Sequence, residues 1–365
     1  MSILNKKIVH TSILLIFSCI FAIIVCEISL RIYFGKNVFE LIDYQRSKTI
    51  PIDISGLSVY DEDIGWKLRP GIRTDGFNTL DHGIRRNSVA HERTREGGIL
   101  VSGASFTAGS EVVDEFAWPA QLEQLTQISV DNVSAGGYAL DQIVIRTEEM
   151  MPIIKPSIVI VDVSPGLIFA SKYSVNGMPK PYFTLEDGEL VKHNFPVPKY
   201  VKLKDRSFLR NFYRYSLIFD RAFATLFPKK YTLTPGAVDI GNDHIAVSCA
   251  LFERLKKVTD KSNAKLGVVW QYGGGFMSQV KPKPIEATSV QDCLRANNIQ
   301  FIDEYDRLRR LLEKKDKSFT SQYMPHPGGT FGHKSPKGNL DVAQDVMSLL
   351  ERLNPTATEK HSLNK

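Results

Sequence analysis

The sequence predicts an α/β protein, a three-layer α/β/α sandwich around a mostly parallel five-stranded sheet, preceded by a transmembrane helix. Three observations predict it. An uncharged apolar run stands at the amino terminus, short β-branched runs alternate with helical stretches from residue 98 onward, and a Gly-Ala-Ser turn follows the first of those runs. With 43% hydrophobic residues in 365, the chain can bury the core of one large domain or two modest ones.

The anchor comes first. Ile8 to Cys26 contains no Asp, Glu, Lys or Arg, and about 20 apolar residues span a bilayer core as a helix. No small-x-small cleavage site follows, and Val25 before Cys26 is a poor lipoprotein context, so an uncleaved anchor is expected rather than a signal peptide. Lys6 and Lys7 precede the run, whereas Glu27 and Arg31 roughly cancel after it. Positive-inside bias then makes residues 1–34 a cytoplasmic leader with a single-pass anchor, and leaves the main domain outside the cytoplasmic membrane.

Residues 35–97 are rich in turn formers, Pro51, Gly56, Gly65, Pro70, Gly71, Gly76 and Gly83, without a long helical period, and read as a neck with short strands. A domain over 98–355 follows. Its strands are expected at Ile99–Ser102, Ile128–Val133, Ile158–Val163, Leu266–Trp270 and Ile299–Ile302. Helical periodicity lies between and after them, at Trp118–Leu125, Asp141–Met151, Ile245–Val258, Val290–Asn297, Tyr305–Glu313 and Asn339–Leu353. The stretch 170–240, rich in Pro, aromatics and Lys/Arg, breaks the alternation. It reads as an insertion with a hairpin at Tyr182–Leu185 and Leu190–Val191, placed to cover the carboxyl edge of the sheet or simply to cap it. Residues 356–365 read as a disordered tail.

Several function classes are excluded. The charge of +6 is spread along the chain, and no Lys/Arg run interleaves with stacking aromatics as in a nucleic-acid module. No His/Cys/Asp/Glu cluster has metal-ligand spacing, and Gly273-Gly274-Gly275 lacks the Lys-Ser/Thr of a phosphate loop, so neither metal nor cofactor is expected. Cys249 and Cys293 lie in helical segments without CxxC spacing. They could be buried thiols or one disulfide, and burial is the expectation.

Chemistry concentrates in three places. Val101-Ser102-Gly103-Ala104-Ser105-Phe106-Thr107 runs from a strand through small residues into a helix. Ser105 there exposes its hydroxyl above the sheet, with its N–H near a helix amino terminus where donors favour negative charge. The same position suits a helix cap. Asn132-Val133-Ser134-Ala135-Gly136-Gly137-Tyr138 follows the second strand, and Gly332-His333-Lys334-Ser335-Pro336 precedes the last helix.

These three blocks together resemble the SGNH/GDSL hydrolases. Gly103-Ala104-Ser105-Phe106-Thr107 is similar to that family's Gly-Asp-Ser-Phe-Ser/Thr, with Ala104 in place of Asp. Asn132 to Tyr138, continuing to Asp141-Gln142, resembles the N-x-G-x-x-G-Y block, and His333 stands where the family's histidine precedes the last helix. The segments Tyr60-Asp61, Gly65-Trp66-Lys67-Leu68-Arg69-Pro70 and Gly83-Ile84-Arg85 resemble the region before the domain in membrane-anchored relatives of polysaccharide clusters. The resemblance implies Ser105 as nucleophile, His333 as base and the N–H groups of Ser105 and Gly137 as oxyanion hole. It also implies esterase or O-acetyltransferase chemistry on an acylated carbohydrate or polysaccharide.

Two departures stand out. Gly166 occupies the position of the family's third oxyanion donor, an Asn, and loss of such a donor costs about 10² to 10³ in turnover. Thr330 stands three residues before His333, where the family has Asp, whose amide replacement costs roughly 10⁴ in the serine-protease template. Asp162, at the end of the third strand, is the candidate to compensate, and His326, preceding Pro327-Gly328-Gly329, is the alternative base. The competing reading is a catalytically silent module that binds a glycan or scaffolds a polysaccharide assembly.

Overall fold

A computed structural model of the chain describes residues 3–33, 56–88, 96–199, 216–226, 238–279, 282–314 and 317–354. The expected tail 356–365 and residues 35–55 and 89–95 of the expected neck lie outside them. Helix α1 (Ile3–Tyr33) opens the chain, and Val9–Tyr33, whose most apolar 18-residue stretch has mean hydropathy 2.8, is long and apolar enough to cross a membrane. A hairpin of β1 (Ser58–Asp61) and β2 (Gly65–Leu68) follows. The alternation then starts with β3 (Ile99–Ser102), α2 (Ser105–Ala108), α3 (Trp118–Thr126), β4 (Val130–Asn132), α4 (Leu140–Ile154), β5 (Ile158–Val163) and α5 (Pro165–Ala170).

Short strands β6 (Val175–Asn176) and β7 (Met178–Pro179) and the hairpin β8 (Tyr182–Glu186) and β9 (Glu189–His193) lead to helix α6 (Leu217–Leu226). The alternation resumes with α7 (His244–Lys261), β10 (Lys265–Trp270), α8 (Gly274–Gln279), α9 (Ile285–Ala296), β11 (Gln300–Asp303) and α10 (Tyr305–Glu313). The chain closes with α11 (Lys317–Thr320), the hairpin β12 (Tyr323–His326) and β13 (Thr330–Lys334), and α12 (Pro336–Leu353).

The five expected strands form one sheet in the order β11-β10-β5-β3-β4, every neighbouring pair parallel. Helices α4, α7 and α9 cover one face, and α3 and α12 the other. The central strand β5, Ile-Val-Ile-Val-Asp-Val, is buried along its whole length, as a strand covered on both faces must be. Each such Val or Ile contributes on the order of 1.5–3 kcal/mol by leaving water. The fold is therefore a three-layer α/β/α sandwich with an amino-terminal apolar helix.

Two differences from the expectation have physical reasons. Residues 56–88 do not stand apart as a neck: Ile64 and Trp66 are buried in the larger core cluster, and the Arg85 N–H donates at 2.8 Å to the carbonyl of Asn132, the last residue of β4. Cys249 and Cys293 are bonded as a disulfide joining α7 to α9, rather than being two buried thiols. The chain divides into two compact units. One contains α1 and α6, and the other contains every remaining element. The insertion is thus split, its first part lying in the sheet domain with Phe183 fully buried.

Candidate active site

Helix α2 holds Ser105 at its first turn, directly beyond the carboxyl end of β3. Gly103 permits this, because a Cβ there would stand 2.9 Å from the Cβ of Asp162 and 2.8 Å from that of Thr107. The turn is fixed from below and from the side. Thr107 Oγ1 donates to Asp162 Oδ2 at 2.6 Å, and Asn132 Nδ2 donates to the Thr107 carbonyl at 2.8 Å. Ser105 is half-buried, and its backbone N–H, at the head of the helix, has no acceptor among the described residues.

The structure places His333 on β13, which packs against α2, with its ring edge-on to Phe106 at 5.4 Å between centroids. The strand is pinned at its next residue. Lys334, fully buried, donates to both oxygens of Glu304 at 2.7 and 2.8 Å, and Tyr323 of the paired strand donates its hydroxyl to the Tyr272 carbonyl beyond β10.

The acid beside His333 is not Asp162 but Glu111. Its Oε1 lies 2.5 Å from His333 Nδ1, and its Oε2 accepts the His333 backbone N–H at 3.1 Å. His326 Nε2 also lies 3.1 Å from Oε2, so the two candidate imidazoles share one carboxylate. Burial alone would raise the Glu111 carboxyl. The hydrogen bonds from the His333 ring and backbone, with that from His326, outweigh it and hold the group below its ordinary range. Gly332 makes room: a Cβ there would overlap Glu111 Oε2 and His326 Nε2. Thr330 is exposed, and its hydroxyl donates to the Pro327 carbonyl at 3.2 Å, away from this cluster.

The loop that carries Glu111 is built by Arg85. Its buried guanidinium donates to the carbonyls of Ala108, of Gly109 at 2.5 Å and of Val112 at 2.8 Å, pairs with Asp114 at 3.1 Å and lies over the Phe77 ring. These bonds satisfy carbonyls at the end of a one-turn helix, Gly109 accepting the Val112 N–H as well. Sequence reasoning missed Glu111 because it lies 222 residues before His333. The one available signal is that it is the first acid after Ser105 in the chain.

The turn at Gly136-Gly137 follows β4. Trp66 Nε1 donates to the Gly136 carbonyl at 3.0 Å, and Tyr138 returns its hydroxyl to the Trp66 carbonyl at 2.7 Å. Gly137 has φ +81°, which favours glycine, and its N–H has no acceptor among the described residues. Asn176 of the insertion donates to the Gly137 carbonyl at 2.8 Å, so the insertion reaches this turn. Gly166, exposed in the first turn of α5, brings no side-chain donor, and a Cβ on it would meet nothing nearer than Ser164 Oγ at 3.7 Å.

Asp162 is buried beneath α2. Burial pushes its carboxyl up to about 7 despite the bond from Thr107. It therefore acts on the site only by holding Thr107, and through it the turn that presents Ser105.

No family model and no curated protein matches this chain. Solved structures do overlay on it. The acetyl xylan esterase AlAXEase shares 11% identity over 69% of this chain and 98% of its own, with a TM-score of 0.40. A mutant of Axe2, an acetyl-xylooligosaccharide esterase from Geobacillus, shares 12% over 70% of this chain and 95% of its own, at 0.39. TesA shares 12% over 70% and 98%, at 0.36. At such identity and overlap none of them bears on which residues act here.

Proposed function

We propose that the protein is a membrane-anchored serine acyl hydrolase or O-acyltransferase of the SGNH type. The observation that carries this reading is the Glu111 carboxylate on Nδ1 of His333, beside the helix that presents Ser105. A carboxylate on Nδ1 fixes the tautomer that keeps Nε2 free to accept a proton. Ser105 Oγ attacks the ester carbonyl, its proton passes to His333 Nε2, and the N–H groups of Ser105 and Gly137 receive the oxyanion. Collapse expels the alcohol, which takes the proton from His333, and leaves Ser105 acylated. Water or a sugar hydroxyl then gives its proton to the same nitrogen and attacks, and Ser105 regains its hydrogen as it leaves.

His333 takes precedence over His326 because it receives Glu111 on Nδ1 and packs against Phe106, whereas His326 presents Nε2 to the carboxylate and is the more exposed of the two. The acylated polysaccharide as substrate rests on the resemblance of the segments from Tyr60 to Arg85 to anchored relatives. The placement outside the cytoplasm, with the amino terminus inside, is supported by Lys6 and Lys7 before α1 and by the Cys249–Cys293 disulfide. Such bonds persist in oxidising compartments. The silent glycan-binding module is disfavoured because a binding surface has no need of an ionised acid on an imidazole. Hydrolysis of a small acetyl ester by wild type, Ser105→Ala and His333→Ala tests the reading: both variants should fall to background, and three equal rates would favour the silent module.

A further inference from the structure

The unit formed by α1 and α6 carries a second inference. Glu27 lies at the end of the apolar run, and at 1.5 Å rise per residue it is about 27 Å beyond Val9, close to the thickness of a bilayer's hydrocarbon core. Its carboxylate is filled on every side. Oε1 accepts from Arg31 Nε at 2.7 Å and from the Leu217 N–H at 2.6 Å, and Oε2 accepts from Ser216 Oγ at 2.9 Å and from the Ile218 N–H at 3.0 Å. The anchor's own acid therefore caps the amino terminus of α6, taking up N–H groups that a helix start leaves without partners. In water a carboxylate is solvated without such partners, whereas at the edge of hydrocarbon it must find them within the protein.

Helix α6 is Leu-Ile-Phe-Asp-Arg-Ala-Phe-Ala-Thr-Leu. Leu217 is 4% exposed, whereas Phe219, Ala222 and Leu226 are exposed and recur at helical spacing, forming an apolar stripe. At about 100° per residue, Leu217 points away from that stripe. Among its described side chains, the helix thus buries Leu217 and leaves an opposite apolar face uncovered. In the sequence Phe227 and Tyr231 follow, and tyrosine gathers at membrane interfaces.

We infer that α6 is a second membrane element, an interfacial helix whose Phe219–Ala222–Leu226 face enters the outer leaflet beside α1, held there by Glu27. The occupant of that face is lipid, because the helix with which α6 forms one unit is itself the segment that crosses the bilayer. The inference rests on the anchor reading given above. The insertion accordingly has two tasks: its first part completes the sheet domain at Lys180 and Phe183, and its middle grips the membrane.

The test uses the full chain in liposomes, with Cys19→Ser and Cys26→Ser and one environment-sensitive fluorophore on a cysteine placed at Phe219, Ala222, Leu226 or, as control for the anchor, Phe17. All four labels should emit to the blue of a water-exposed label and lose most of their intensity to spin-labelled lipid, with little loss to iodide. Adding Glu27→Ala should release the α6 labels to iodide while the Phe17 label stays in lipid. Iodide quenching of the three α6 labels with Phe17 still in lipid would overturn the inference and spare the anchor. Iodide quenching of Phe17 as well would remove both. Protection from both quenchers, with Leu226→Cys cross-linking between copies, would assign the face to a second copy instead.

Discussion

At the residue scale, the arrangement turns on three side chains and two glycines. Glu111 is the group whose removal separates an enzyme from a scaffold: Glu111→Gln keeps the size but loses the charge. By the protease template it should lower kcat by roughly 10² to 10⁴ with little change in KM. Its carboxyl is held below the ordinary range, so Glu111 stays ionised to lower pH than a free carboxylate. The pH dependence of activity should therefore show no titration of this acid in the ordinary carboxylate range. Gly332→Ala makes the same point by geometry. The added methyl displaces two flexible tips, Glu111 Oε2 and His326 Nε2, so turnover should collapse while Tm stays within a few degrees of wild type. Asp162 makes a different prediction. Its carboxyl titrates near 7 when folded against an ordinary 3.8, so the folded state keeps a proton that the unfolded chain has lost. Stability then falls as pH rises between about 4 and 7, by on the order of 4 kcal/mol at most, and levels off above. Asp162→Asn should flatten that dependence in thermal unfolding at pH 5 and pH 8, and an unchanged slope would remove Asp162 as its source.

At the scale of elements, much of the fold was legible and one functional element was not. The β-branched runs placed all five strands, because a parallel sheet buried on both faces requires such runs, and helical periodicity placed the long helices between and after them. Ser105 was a candidate from its strand-to-helix turn taken with the family resemblance, and Gly137 from the resemblance alone; both stand at turns that follow strands of the sheet. The contact of Glu111 with His333 was not legible, because it depends on the hairpin of β12 and β13 folding back over the loop after α2, an arrangement without local periodicity. Asp162 misled for the same reason: a strand end points to the right edge of the sheet but not to the depth of the side chain. Arg85 shows what the segment before the domain is for. It ties together the carbonyls of the loop that holds Glu111, and Arg85→Met should take the guanidinium from the Ala108 and Val112 carbonyls and leave Asp114 without its counter-charge, costing about 3–5 kcal/mol in stability. The two departures from the family pattern now separate. Thr330→Asp should not raise turnover, since an acid already occupies Nδ1. Gly166→Asn adds a donor the site lacks, in open space, and should raise turnover on the order of tenfold or more.

At the scale of the whole molecule, the chain joins an apolar helix able to cross a membrane to a sheet domain closed by a disulfide. An alkaline phosphatase fused after Lys365 should be active in cells, whereas a fluorescent cytoplasmic reporter at the same point should be dark. The opposite pattern would reverse the orientation. Reduction of Cys249–Cys293 should lower Tm by several degrees, since the bond closes a loop of 44 residues between α7 and α9. The central claim, that Ser105 is a nucleophile activated by His333 and Glu111, is tested most directly by a fluorophosphonate that reacts only with activated serines. Mass spectrometry of the labelled full-length protein should find the adduct on Ser105, absent in Ser105→Ala and slowed in His333→Ala and Glu111→Gln. An unlabelled Ser105 in folded protein, or labelling that ignores the loss of His333, would contradict it.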